Sequence, residues 1–263
     1  MSKPESNGAQ SSTKVDFLGA SIDNLTWDET IERLFELVAN KEPSYVVTPN
    51  VDHIMRLQQS PEFREIYKSA ALVLADGMPI LWGTRFLGQT LKKKISGSDL
   101  LPKVASEAAK RKCSLFFLGG RKGAAAKAAE VFTSHYPGLN VCGHYCPPWG
   151  FEYNSDELYK IEKLIKEAKP DILFVGLGSP KQENWIFKYH QKIGVPVSIG
   201  SGVSFEFIAG FVKRAPGWMQ NCGFEWFWRL LMEPRRLWKR YLLTDMPFFR
   251  LLLREKFFAG RSK

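Results

Sequence analysis

The feature that most constrains this chain is an alternation of short, largely apolar runs with longer amphipathic segments. The runs fall at 45–48, 71–75, 115–118, 172–175 and 195–199, with a further β-rich stretch around Val141. Strands that face water on one side alternate polar and apolar residues. These runs do not, so they read as strands buried on both faces. Between them lie helical patterns. Thr26 and Glu29 form a capping box ahead of Ile31, Leu34, Phe35 and Val38 at helical spacing. Ser60-Pro61 opens a second helix, and others follow Ser98-Asp99 and span 122–135, about 156–168 and 181–192. The alternation predicts an α/β chain, a mainly parallel sheet covered by helices on both faces, over residues 15–210.

The ends differ from this body. Residues 1–14 are polar, carry no apolar h-region, and read as a disordered leader rather than a secretory signal. No run reaches the roughly 18 apolar residues of a membrane-spanning helix, so a cytoplasmic chain is expected. Of the formal net charge of +10, a surplus of +8 lies from Lys213 onward, where twelve Lys or Arg stand against four Asp or Glu. Trp218, Trp226, Trp228 and Trp238, half of the eight tryptophans, share that stretch. Residues 211–263 therefore read as a basic, aromatic-rich helical appendage.

Cys142, His144 and Cys146 invite a zinc reading. No second pair stands at metal-ligand spacing, so neither a metal nor a disulfide framework is expected.

In parallel sheets, ligands bind beyond the carboxyl ends of the strands. Asp76 stands there with flexible Gly77 behind it, placed to serve either as a general base or as a helix cap. Thr48 and Asn50 end the preceding strand, where they can bind a sugar or ribose or serve as turn residues. Gly119, Gly120 and Gly123 form a strand-to-helix turn suited to a diphosphate, yet match neither the dinucleotide fingerprint nor the P-loop. Residues 176–185 contain the densest polar set at any strand end: Gly178, then Lys181, Gln182, Glu183 and Asn184 at the start of a helix. A turn needs Gly and Pro but not such a run, which favours ligand binding. No Asp-x-Asp pair is present to hold a divalent cation, so side-chain cations would have to neutralise a leaving diphosphate.

The tail offers them. Arg229, Arg236 and Arg240 fall on one face of a continuous helix, although Pro234 should kink it. Such a basic, aromatic surface suits an anionic membrane, a solvated helix face, or nucleic acid. No nucleic-acid module signature accompanies it, so no nucleic-acid partner is expected.

The sequence resembles the WecG/TagA/CpsF glycosyltransferases. The resemblance rests on Thr48-Pro49-Asn50, on Ala-Asp-Gly-Met-Pro at 75–79 and on Ser-Gly-Ser-Asp at 96–99. It continues through Val-Gly-Leu-Gly-Ser-Pro-Lys-Gln-Glu at 175–183, Gly-Ser-Gly-Val-Ser-Phe-Glu-Phe at 200–207, Lys-Arg-Ala-Pro at 213–216, and the tail at 225–241. It implies a Rossmann-like fold and inverting, metal-independent transfer from a UDP-sugar to a polyprenyl-diphosphate-linked saccharide, with no cofactor. It also implies peripheral attachment to the inner face of the cell membrane through the tail, and it leaves an oligomer open. Asp76 then matches the base, and Thr48, Asn50 and Gln182 the polar site. Arg229, Arg236 and Arg240 match the diphosphate-contacting arginines, while Lys94 stands where the family carries Arg. Lysine supplies a point charge there rather than a bidentate fork. Two rival readings remain: a nucleotide-dependent oxidoreductase or epimerase on a similar fold, and a non-catalytic membrane-surface protein.

Overall fold

The computed structural model describes residues 14–239, 241 and 244–258. The expected leader lies outside the described residues except for Lys14, which opens the first strand. Strands β1 (Lys14–Phe17) and β2 (Ala20–Asp23) form an antiparallel hairpin. Its turn places Leu18 at φ 48° and Gly19 at φ 88°, the left-handed pair that a tight two-residue hairpin requires. Helix α1 (Trp27–Asn40) starts at the expected capping box, with Thr26 N–H donating to Glu29 at 2.7 Å. It buries Leu34, Phe35 and Val38 against the sheet.

There follow β3 (Ser44–Val47), α2 (Val51–Gln59), α3 (Pro61–Lys68), β4 (Leu72–Val73), α4 (Met78–Phe86) and α5 (Gly97–Arg111). Then come β5 (Ser114–Gly119), α6 (Ala124–His135), β6 (Asn140–Tyr145), α7 (Ser155–Ala168), β7 (Ile172–Gly176), α8 (Lys181–Ile193), β8 (Val197–Gly200) and α9 (Ser204–Ile208). The six strands from β3 to β8 pair in parallel in the order β4-β3-β8-β7-β5-β6. Both faces are covered, as the uniformly apolar runs predict. Leu173 and Val175 of β7 enter one hydrophobic cluster, and Ile172 and Phe174 enter the other. Helix α8 packs on the first face through Trp185 and Ile186, and α6 on the second through Ala125, Ala128 and Phe132.

Two boundaries differ from the sequence expectation. The run at 71–75 narrows to the two residues of β4, an edge strand that pairs only with β3. Helix α5 starts before Ser98, because Ser96 is the residue whose hydroxyl caps it, accepting from Asp99 N–H at 3.2 Å. The two candidate metal-binding cysteines are occupied otherwise: the Cys142 thiol lies 3.3 Å from the Leu115 carbonyl and the Cys146 thiol 3.1 Å from that of Gly120.

Among the described residues after 216 the regular elements are helices: α10 (Gly217–Asn221), α11 (Glu225–Met232), α12 (Pro234–Lys239) and α13 (Pro247–Phe258). The expected kink at Pro234 is a full break, with Glu233 leaving helical geometry between α11 and α12. Arg229 and Arg236 therefore stand on different helices rather than on one continuous face. The side chain of Arg236 and the whole of Arg240 lie outside the described residues. The last helix returns to the body. Phe248 is buried edge-on against Phe17 with ring centroids 6.2 Å apart, and Leu252 is buried beside it. Gly83 of α4 permits this close approach, since a Cβ there would sit 2.6 Å from the Phe17 ring.

Candidate active site

The connections from β5 and β7 leave the sheet in opposite directions, through α6 on one face and α8 on the other. Such a reversal opens a crevice at the carboxyl edge. A cleft of about 570 Å³ lies there, walled by the turns after β3, β4, β5, β7 and β8. Backbone contacts weld these turns together. Gly120 N–H donates to Gly176 O at 2.7 Å, Ser201 N–H to Val175 O at 2.8 Å, and Asp76 N–H to Pro49 O at 2.9 Å. Close approach requires glycine at several points. A Cβ on Gly176 would lie 2.8 Å from Phe205, and one on Gly200 would lie 2.7 Å from the Gln182 amide nitrogen.

Asp76 lies half-buried at the floor of this cleft. It is not the cap of α4: Gly77 holds that position at φ 98° without a side-chain hydrogen bond. Burial, reinforced by the nearby Glu225 carboxylate, pushes the Asp76 carboxyl up to about 7, while Lys94 and Arg229 pull in the opposite direction. A carboxylate poised near neutrality can accept a proton during reaction and release it afterwards.

Of the residues singled out in the sequence, Thr48, Asn50, Asp76, Gly120, Gly178, Lys181, Gln182 and Arg229 all line the cleft. Asn50 also caps α2, accepting from His53 N–H at 3.3 Å, so its turn role and its place in the wall coexist. Lys181 is ion-paired with Glu152 from the loop after β6. Three others stand behind the wall. Gly119 packs against Gly176, where a Cβ would lie 2.6 Å from the carbonyl oxygen. Lys94 pairs with Asp99 at 3.5 Å and reaches Asp76 through its field. Glu183 is buried and bonded to the Gln182 side chain at 2.7 Å.

The site also contains residues to which the sequence gave no individual role. Arg121 lines it, donating its backbone N–H to Glu206 at 3.1 Å and its guanidinium to Glu233 at 2.6 Å. Glu206 is itself buried in the wall, and Trp149, another lining residue, is almost fully exposed. His53 sits one turn into α2, at the spacing from Asn50 that a helix turns to the same side. Arg214 bridges Asp99 at 2.7 Å and Glu225 at 3.4 Å, fastening α11 to the start of α5. With Ser96 and Lys94, Arg214 outweighs the effect of burial and holds the Asp99 carboxyl below its ordinary range.

The profile of the glycosyl transferase WecG/TagA/CpsF family matches residues 15–262. The chain belongs to that family. It is a glycosyltransferase, which sets aside both the oxidoreductase or epimerase reading and the non-catalytic one. Among curated relatives, an N-acetylglucosaminyldiphosphoundecaprenol N-acetyl-beta-D-mannosaminyltransferase of Bacillus spizizenii is 32% identical over 199 residues, covering 76% of this chain and 75% of its own. Proteins of the same name from Bacillus subtilis and Staphylococcus aureus are 31% and 30% identical, covering 83% and 90% of each chain respectively. In this WecG/TagA/CpsF member no described helix is long and apolar enough to cross a membrane.

Proposed function

We propose that this chain transfers a hexose or N-acetylhexosamine from a UDP-sugar to a saccharide carried on a polyprenyl diphosphate, with inversion at the anomeric carbon. The sugar favoured by the relatives' names is N-acetylmannosamine, and the favoured acceptor is N-acetylglucosaminyl-diphosphoundecaprenol. The observation that carries the reading is Asp76, a carboxyl with a pKa of about 7 on the floor of a cleft that also holds Arg229 and Gln182.

In the reaction, the acceptor hydroxyl oxygen forms a bond to the anomeric carbon as its proton passes to Asp76. The bond from that carbon to the diphosphate oxygen breaks, and its electron pair leaves with UDP. Base and leaving group on opposite faces of the sugar give inversion. Arg229 and the backbone N–H groups of the glycine turn after β7 neutralise the departing charge, without a divalent cation. The exposed Trp218, Phe224, Trp226, Phe227 and Trp238, set among basic residues, attach the protein peripherally to an anionic membrane, where the lipid-linked acceptor resides.

The test is a panel of UDP-sugars assayed with a polyprenyl-diphosphate-linked N-acetylglucosamine on vesicles, with and without a chelator. Expected are transfer from one donor, retained activity in chelator, and activity that rises with anionic lipid. No transfer from any donor would overturn the reading, and so would full activity in Asp76→Asn.

A further inference from the structure

The Gln182 side chain is buried in the cleft wall and bonded at both ends. Its Oε1 accepts the Gly202 backbone N–H at 3.0 Å, and its Nε2 donates to Glu183 Oε1 at 2.7 Å. A backbone N–H can only donate, so the side-chain atom it meets is the amide oxygen. That neighbour therefore determines which end of the amide is oxygen and which is nitrogen, an assignment that is otherwise ambiguous. One hydrogen of the NH₂ group is used by Glu183. The other has no partner among the described residues, and Gln182 lines the cleft.

Glu183 lies in turn beside a buried histidine. His53 Nε2 lies 3.7 Å from its Oε1, and His53 Nδ1 lies 2.7 Å from the Tyr67 hydroxyl. Burial, with the charge of Glu183 second, holds the Tyr67 phenol far above its ordinary value, so the hydroxyl facing Nδ1 keeps its proton. His53 Nε2 stands on the side of Glu183 at an electrostatic rather than a hydrogen-bonding distance. Tyr67, His53, Glu183 and Gln182 are each no more than 5% exposed, so each link is shielded from water and rigid. The chain of contacts runs from the α3 helix to the cleft and ends in one N–H.

We infer that Glu183 is a positioning residue, backed by His53 and Tyr67, which locks the Gln182 amide so that it meets the substrate as a hydrogen-bond donor only. The complementary ligand atom is an oxygen acceptor: a sugar hydroxyl or acetamido oxygen, or a diphosphate oxygen. This rests on the reading of the cleft as the transferase site. It moves Glu183 from substrate contact to support.

The decisive variant is the exchange Gln182→Glu with Glu183→Gln in the full chain. The carboxylate at 182 accepts from Gly202 and from the amide at 183, so the internal bonds persist, but no hydrogen faces the cleft. Expected is an unfolding temperature close to that of the wild type, with kcat/KM for transfer reduced about a hundredfold, as in Gln182→Met. Glu183→Gln alone, which weakens the acceptor that holds one amide hydrogen and leaves only the Gly202 bond in place, should lower kcat/KM about tenfold, as loss of an outer partner does elsewhere. An active wild type with an equally active exchange variant overturns the inference; should that variant not fold, an unimpaired Glu183→Gln does so.

A second measurement does not depend on turnover. In the side-chain amide NMR signals of wild-type Gln182, one hydrogen should be protected from solvent exchange and the other not, and Glu183→Gln should abolish the difference. Two equally fast hydrogens in the wild type would overturn the lock whatever the activity. An inactive wild type with one protected hydrogen would count against the proposed function alone.

Discussion

Asp76 donates its backbone N–H to the carbonyl of Pro49 at 2.9 Å, so the turn after the edge strand β4 is fastened to the turn after β3. The Ala75 carbonyl accepts from Ile95 N–H at 2.7 Å just before it. The carboxyl therefore hangs from a backbone anchored on both sides, facing the cleft that Thr48 and Asn50 share. Its ionisation controls turnover in the proposed reaction. Above a pKa of about 7 the carboxylate can take the acceptor proton, and below it the site is already protonated. We expect kcat/KM to rise with pH through about 7 and then level, falling tenfold per unit on the acid side. The check is a pH–rate profile at subsaturating donor. A flat profile between pH 5.5 and about 8 would exclude Asp76 as the base.

The same raised pKa has a cost in stability. Between the ordinary value of 3.8 and about 7, the folded chain holds a proton that the unfolded chain has lost. Stability therefore falls as pH rises through that window and is lowest above it. Asn at this position cannot ionise. Asp76→Asn should be inactive yet more stable than the wild type at pH 8, by on the order of 2 kcal/mol after allowance for screening by solvent in the cleft. At pH 4 the two should unfold alike. Denaturant titration at both pH values measures this difference.

Gly200→Ala tests how tightly the wall is packed. The new Cβ would lie 2.7 Å from Gln182 Nε2, and that amide cannot retreat because Gly202 and Glu183 hold it. The backbone at Gly200 is not left-handed, so sterics alone act. We expect a loss of about 1–3 kcal/mol in stability and a fall in kcat/KM larger than the lost stability explains. Thermal unfolding and steady-state kinetics separate the two.

Much of the scaffold was legible in the sequence because burial on both faces leaves uniformly apolar runs, as at 172–175. Asp76 was legible for a related reason: a carboxylate ending such a run must lie at the sheet edge. The β1–β2 hairpin was not, since Leu18-Gly19 lacks the Asn-Gly or Asp-Gly signal and Leu18 adopts φ 48° only in its tertiary setting. Motif membership also did not say which side of a turn faces the ligand. Gln182 and Glu183 are adjacent in sequence, yet one lines the cleft and the other supports it. Glu206 and Arg121 meet across 85 positions of chain, which no local pattern records. The amphipathic pattern of α13 does not say what covers it: one face meets Phe17 and Gly83, far away in sequence, while Phe249, Leu253 and Phe257 stay exposed.

That return of α13 yields a stability prediction. Phe248 is 1% exposed against Phe17, so Phe248→Ala removes a buried ring and should cost about 3–5 kcal/mol. Chemical denaturation measures it. A cost below about 1 kcal/mol, the range of peripheral substitutions, would mean that α13 is not integral to the body.

Arg229 occupies α11 between two ionic ties. Glu225, four residues before it, meets Arg214 at 3.4 Å, and Glu233, four residues after it, meets Arg121 at 2.6 Å. The Trp228 indole N–H donates to Lys213 O at 3.1 Å between them. The helix is thus fixed at both ends, and Arg229 lines the cleft, where its charge opposes the rise of the Asp76 pKa. Arg229→Ala should act in two ways. It removes a cation from the departing diphosphate, lowering kcat/KM by about 10²–10³. It also removes a positive neighbour of Asp76, moving the acid limb of the pH–rate profile upward. Arg229→Lys keeps the charge and loses the bidentate fork, so the limb should stay in place while activity still falls. A limb that does not move in Arg229→Ala would separate the arginine from the base, and full activity in the same variant would remove it from the site.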